Sequence, residues 1–246
     1  MKITCLFLLV LLPCCTIAQN LQLHYDPRHL ADSKRNSKNF TTLYFEYFKN
    51  QDSGKSFIKP GSFLLKIQAD FIGEKNNMGK AYLQVSQSFR FWNPKVFLSV
   101  QYSGGLGITE PKEYSYYIMN TFSVGVNYPF RLGNTCFLAS VLSLKYIPYK
   151  KPSYDPFFTQ YWWQGLFKYK AEFSGDFSVW LENKNHGDDF TKQLSGKRFA
   201  FFAEPQFWYN LNKTFGVGTK VNMYYHVLTT EHLFQAYPTA AIRCKL

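Results

Sequence analysis

The side chains best suited to chemistry are charged residues set singly into apolar segments. Glu46 lies within residues 40–49, Lys66 and Asp70 within 62–71, Arg90 within 81–91 and Asp176 within 173–182. Glu204 opens the stretch Glu204-Pro205-Gln206-Phe207-Trp208-Tyr209-Asn210, Lys220 lies within 215–222, and Arg243 stands near the end of the chain. Each shares every-second-residue parity with polar or aromatic neighbours, Thr42 and Tyr44 with Glu46, Gln206 and Trp208 with Glu204. On one face of a wall, these groups could line a passage that selects solutes by hydrogen bonds and opposed charges. The aromatics on the same faces, Tyr44, Phe48, Trp180 and Trp208, could stack a flat base or sugar ring, worth roughly 1–3 kcal/mol per base. A plainer role for the same charges is to pair across an enclosed space and fill it.

Hydrolysis is the competing chemistry. It needs a nucleophile, a histidine base and a polar group to orient that base. The histidines, His24, His29, His186, His226 and His232, fall mostly in segments read as loops, and no G-x-S-x-G or H-E-x-x-H motif is present. Gly104-Gly105-Leu106-Gly107 resembles a phosphate loop only superficially, because no helix follows it. His226, Thr229, Glu231 and His232 share one loop without metal-ligand spacing. The expectation is therefore no catalytic residue, no metal and no cofactor, with a lipid-modifying hydrolase as the alternative.

The elements that position the charges are strands. Period-two alternation puts successive side chains on opposite faces. Phe63, Leu65, Ile67, Ala69 and Phe71 share one face opposite Ser62, Lys66, Gln68 and Asp70, with Leu64 the mismatch. Leu83, Val85, Phe89 and Phe91 oppose Tyr82, Gln84, Ser86, Ser88 and Arg90 in the same way. Read throughout, the pattern gives twelve strands, at 20–25, 40–49, 61–72, 80–92, 95–104, 116–128, 135–147, 157–167, 170–182, 198–210, 213–224 and 235–246. Their connections alternate long and short except at 50–60, with a tight turn at Asn93-Pro94. Such alternation belongs to a single antiparallel transmembrane β-barrel, all-β, with both termini on the periplasmic side of a Gram-negative outer membrane. Twelve tilted strands give a backbone diameter of about 24 Å, room for small solutes and not for macromolecules.

Composition agrees. Aromatics make up 20% of the chain, 25 Phe and 18 Tyr among them, more than a polar soluble protein normally carries. Lipid-facing belts and interfacial girdles use them; Tyr161-Trp162-Trp163 and Tyr116-Tyr117 read as girdle. After residue 18 no apolar run is long enough for a helical span. Residues 1–18, with Lys2 before an apolar run and Thr16-Ile17-Ala18 before the cut, read as a signal peptide, leaving 19–246 as the barrel. Lipidation at Cys14 or Cys15 is disfavoured, since neither follows a lipobox residue. The formal charge of +12 becomes +11 without Lys2. For an exported chain that points to acidic lipid, polysaccharide or anionic solutes, and not to nucleic acid. Cys136 and Cys244 are the only cysteines left, too few for a disulfide scaffold.

Three stretches carry a resemblance: Leu21-Gln22-Leu23-His24-Tyr25-Asp26, Thr41 to Lys49 (TTLYFEYFK), and Glu204 to Asn210 (EPQFWYN). They resemble a domain-of-unknown-function family of bacterial outer-membrane barrels, similar in turn to the Tsx-like nucleoside-specific channel-forming proteins. The resemblance implies twelve strands, assembly by the barrel assembly machinery, and a pore for small polar solutes, nucleosides among them. A plugged structural barrel is the remaining alternative. The chain ends on Leu246, where such barrels commonly carry Phe.

Overall fold

A ribbon that is apolar on one face cannot leave a sheet edge open in hydrocarbon, because no water is there to satisfy its backbone. The computed structural model, which describes residues 18–49, 58–90, 95–108, 114–227 and 232–246, meets this demand by closing the sheet on itself. Its strands are β1 (Ala18–Asp26), β2 (Phe40–Lys49), β3 (Lys59–Asp70), β4 (Lys80–Arg90) and β5 (Phe97–Ile108). Next come β6 (Ser115–Leu132), β7 (Cys136–Ile147), β8 (Ser153–Leu166) and β9 (Ala171–Asn183). The last are β10 (Lys197–Ala203), β11 (Gln206–Asn210), β12 (Phe215–Tyr225), β13 (Phe234–Pro238) and β14 (Ala240–Lys245). Neighbours are antiparallel, and β1 pairs with both β2 and β14, Leu23 lying opposite Ile242.

Two staves of the barrel consist of two segments each. β10 and β11 keep one register on β9, with Ala203 opposite Phe177 and Gln206 opposite Ser174. The gap between them is Pro205, which has no N–H to give to the ladder. Glu204 N–H still donates to the Asp176 carbonyl at 2.9 Å. Beside Pro205, Gly175 adopts φ +151°, and a Cβ there would lie 2.5 Å from the Glu204 carbonyl oxygen. β13 and β14 likewise hold one register on β12 across Thr239. The described residues thus form a closed barrel of twelve antiparallel staves, as the alternation indicates.

Several boundaries move. The Gly104–Gly107 run is neither loop nor phosphate cradle; it lies inside β5, paired with β4. Glycine is required there because Tyr116 lies across it, and a Cβ on Gly107 would fall 2.1 Å from the Tyr116 ring. β6 continues to Leu132 and β8 starts at Ser153, so the connections expected at 129–134 and 148–156 shrink to 133–135 and 148–152. Residues 1–17 and the Asn93-Pro94 turn lie outside the described residues. The start of β1 and Leu246, which follows β14, sit at one end of the barrel, where the Leu246 N–H donates to the Gln19 carbonyl at 3.0 Å. That end, the terminus end, also carries the connections 133–135, 167–170 and 211–214; the opposite loop end carries 27–39, 71–79, 148–152 and 184–196.

The side-chain layers are inverted relative to a water-soluble fold. Ile67 is 43% exposed, whereas Lys66 beside it is 4% exposed. Leu21, Leu23, Leu83, Val124, Leu142, Leu144 and Ile242 are exposed in the same way, while Gln22, Ser123, Ser143 and Arg243 are buried. Phe63, Leu65, Phe89 and Val100 share the outward parity of Ile67, and Gln68, Gln84 and Arg90 share the inward parity of Lys66. The apolar exterior suits lipid. Tyr161-Trp162-Trp163 is not a single girdle, however: Tyr161 turns inward to Gln84, while Trp162 packs outward on Phe173 and Phe177. Successive residues of a strand cannot share a face. Cys136 and Cys244 are both free thiols.

Candidate functional site: the barrel lumen

The lumen contains two cavities. The one at the terminus end has a volume of about 650 Å³ and the one at the loop end about 580 Å³. Lys66, Gln101 and Asp176 line both and so mark the waist between them. The waist joins one wall, where β9, the β10–β11 stave and β12 lie side by side, to β3 on the other. Lys66 on β3 forms an ion pair with Asp176 on β9, on the opposite wall, and lies 3.6 Å from Glu204. Glu204 is held in turn by Lys220 at 2.8 Å. Tyr161 on β8 meets Gln84 on β4 at 3.2 Å, a second strut across the lumen. Removing one member of such a dry pair would strand the other as an uncompensated buried charge.

Below the waist, toward the terminus end, Arg243 pairs with Glu172 at 2.8 Å and donates to Asn210 at 2.9 Å. Its guanidinium lies 4.6 Å over the Trp208 ring. Trp208 donates its indole N–H to Gln206 at 2.9 Å and meets His24 edge-on. Gly218 makes that possible, since a Cβ there would fall 2.7 Å from the indole. On the loop side, Asp70 accepts from Thr42 and Gln68 and pairs with Lys80 at 2.9 Å. Higher still, Glu182 is held by Arg198 and by the Trp180 indole N–H, 2.8 Å away.

A family model described as domain of unknown function (DUF5020) matches residues 18–245. The chain belongs to this family. Among solved structures, the NanC porin matches with a TM-score of 0.54 at 7% identity, over 93% of this chain and 100% of that one. LpxR from Salmonella typhimurium matches at TM-score 0.43 and 7% identity, over 93% and 100%. The Acinetobacter baumannii outer membrane protein Omp33 matches at TM-score 0.38 and 11% identity, over 93% and 98%. No curated protein matches the chain. The likeness to NanC porin is one of fold: this member of the DUF5020 family is built as a closed antiparallel β-barrel.

Within it, the charges singled out from sequence take up different positions. Lys66, Asp176, Glu204 and Lys220 meet at the waist, Asp70 lies above it, and Arg243, Gln206 and Trp208 lie below. Arg90 stands at the terminus-end rim, over Phe97. Glu46 departs from the expected cation pairing. It is in register with Lys66, yet Lys66 turns across the lumen to Asp176, and Glu46 accepts the Tyr44 hydroxyl at 3.1 Å instead. Tyr44 and Trp208 also depart from the stacking role. They are 1% and 0% exposed, with Lys220 over the Tyr44 ring and Arg243 over the Trp208 ring, so neither ring offers a face to a solute.

Several lumen groups were absent from the candidates drawn from sequence, among them Lys80, Glu182 and Arg198. His24 is 1% exposed between Gln22 and Thr239, at 2.8 and 2.9 Å. Glu172 is one of three acids on β9, and Lys145 is a buried cation on β7. For His24 and Lys145 the signal was available: Leu21, Leu23 and Tyr25 alternate with Gln22, His24 and Asp26, and Leu142 and Leu144 alternate with Ser143 and Lys145. Among the described residues no three of His, Cys, Asp or Glu gather closely enough to hold a metal ion.

Proposed function

We propose that the protein is a pore of the Gram-negative outer membrane that binds and passes small polar solutes, with selection at the waist. The observation that carries this reading is the pair of roomy cavities on either side of one charged constriction shared by Lys66 and Asp176. Cavities of this size match those that enclose small molecules, and a ring of opposed charges at a narrowing is how pores discriminate. Glu204 lines the loop-end cavity, with Lys220 and Asp70 buried as its supports, while Glu46, Gln206 and Arg243 line the terminus-end cavity and Arg90 stands at its rim. Nucleosides are the class the family resemblance names; its support is that resemblance together with cavity size. The short connections at the terminus end favour a periplasmic position for both termini. Outer-membrane lipids and the barrel assembly machinery are the partners that follow from this placement.

A second reading has its own observation. The struts from Lys66 to Asp176 and from Tyr161 to Gln84 cross the lumen, as they would in a plugged structural barrel. Proteoliposome swelling against a panel of sugars, amino acids and nucleosides separates the two. For the pore, Glu204→Gln changes solute preference or conductance while the barrel keeps its fold. Transport unchanged across the whole panel removes Glu204 from selection, and no flux in the unaltered protein leaves the plugged barrel.

A further inference from the structure

The loop-end cavity holds a cation that no carboxylate among the described residues touches. Lys145 points inward from β7, between the outward Leu144 and Tyr146, and its side chain is 8% exposed. Its ammonium sits 3.9 Å above the Trp180 ring and 5.3 Å from the Phe157 ring. Among the described residues it makes no hydrogen bond or ion pair with a carboxylate. The nearby acids are already engaged. Glu182 accepts from Arg198 and from the Trp180 indole, Asp155 pairs with Lys197 at 2.5 Å, and Asp176 and Glu204 belong to the waist. The bond from Trp180 to Glu182 also fixes the indole plane beneath the ammonium, so Lys145 is held in place while its charge faces the cavity.

We infer that this cavity is a binding site for a small organic monocarboxylate, gripped by the Lys145 ammonium. The inference rests on the reading of the lumen as open to solutes. Glu182 and Asp155 act on this ammonium only from a distance, and its direct contacts are ring faces, so it lacks a hydrogen-bonding counter-ion. A carboxylate supplies it as a charge-assisted hydrogen bond. One unmatched positive charge calls for one negative charge. Ile147, Ile118 and Phe202 line the same cavity and would receive the apolar body of the ligand, with Ser178 and Thr121 for its polar groups. The volume of about 580 Å³ limits that body to a small molecule.

The test is calorimetric titration of the full barrel in detergent with benzoate, its neutral isostere benzamide, and phenyl phosphate. Benzoate is expected to bind at least about tenfold more tightly than benzamide, a difference of roughly 1.4 kcal/mol. Lys145→Met should abolish that preference and Lys145→Arg should retain it. Equal binding of benzoate and benzamide by the unaltered protein overturns the inference without any variant, so it stays testable if Lys145→Met fails to fold. Phenyl phosphate binding more tightly than benzoate overturns the single-charge assignment. Swelling with neutral arabinose keeps the two readings apart. Flux without benzoate preference defeats the anion site alone; benzoate preference without flux defeats the pore and leaves a binding barrel.

Discussion

Two carboxylates in this lumen are each held by two cations, and their surroundings differ. Glu204 has Lys220 and Lys66, with the Lys220 side chain 1% exposed. Glu172 has Arg243 and Lys245, with the Lys245 side chain 31% exposed at the terminus-end rim. The two carboxylates are about equally enclosed, and the difference lies in the second cation, which at Glu172 reaches water. In water an ion pair is worth little, because solvent already satisfies both charges. Sealed inside, the pair is modest in net gain, but the loss of one member strands the other. The waist is therefore where the fold is least tolerant of a changed charge, and the rim is where it is most tolerant.

The largest expected effect follows directly. Lys220→Met should lower barrel stability by about 3–5 kcal/mol, since Glu204 is left with only the longer contact to Lys66. Lys245→Met should cost less than about 1 kcal/mol, and less again at high salt. Urea unfolding in detergent or lipid reports both; equal costs would mean that the rim is as dry as the waist. Next comes the same contrast across the wall of β3. Ile67→Arg should cost about 2–4 kcal/mol if it stands near the bilayer midplane, while Gln68→Arg, facing the lumen, should cost far less. Reversed costs would invert the facing of the whole barrel.

The smallest effect lies beyond the hydrocarbon, in the 184–196 loop over the mouth. Asp188 accepts from the Thr191 hydroxyl at 2.7 Å and the Thr191 amide at 2.8 Å, and the hydroxyl bond in particular holds its carboxyl below the usual value. A depressed carboxyl stabilises the loop above its unfolded-state pKa, and that support fades as pH falls through the lowered folded value. Exchange of the Thr191 amide should therefore accelerate in acid, relative to other loop amides, and Asp188→Asn should flatten the dependence. A pH-independent exchange ratio in the unaltered protein would exclude Asp188 as the latch.

The wall of this barrel was legible because alternation is a property of single strands. Ile67 and Lys66 declare their faces without reference to any other part of the chain, and so did most of the charges later found inside. Pairing was not legible, because it depends on which walls face each other across the lumen. Glu46 and Lys66 are direct cross-strand neighbours and would be matched on any local rule. Lys66 instead reaches a residue 110 positions away, where the more deeply enclosed Asp176 has the greater need of it. Tyr44 and Trp208 were placed on the correct face, but the cations that cover their rings come from other staves, Lys220 across the β1–β14 seam and Arg243 from beyond β12. The glycine run of β5 misled for a related reason: its small residues accommodate Tyr116 on the next strand, and nothing within the run itself records that ring.

The strut from Lys66 to Asp176 also bears on how the barrel is assembled. β3 and β9 lie on opposite walls, so their pair cannot form in an open sheet. Before closure Lys66 has only Glu46 on the adjacent strand within local reach, and Asp176 lacks the ammonium it meets in the finished lumen. Closing the ring is therefore rewarded by a contact that no open sheet can make. A ring with a spoke across it also resists flattening in a way that an empty ring does not, so the cross-section is set by a chord as well as by its circumference.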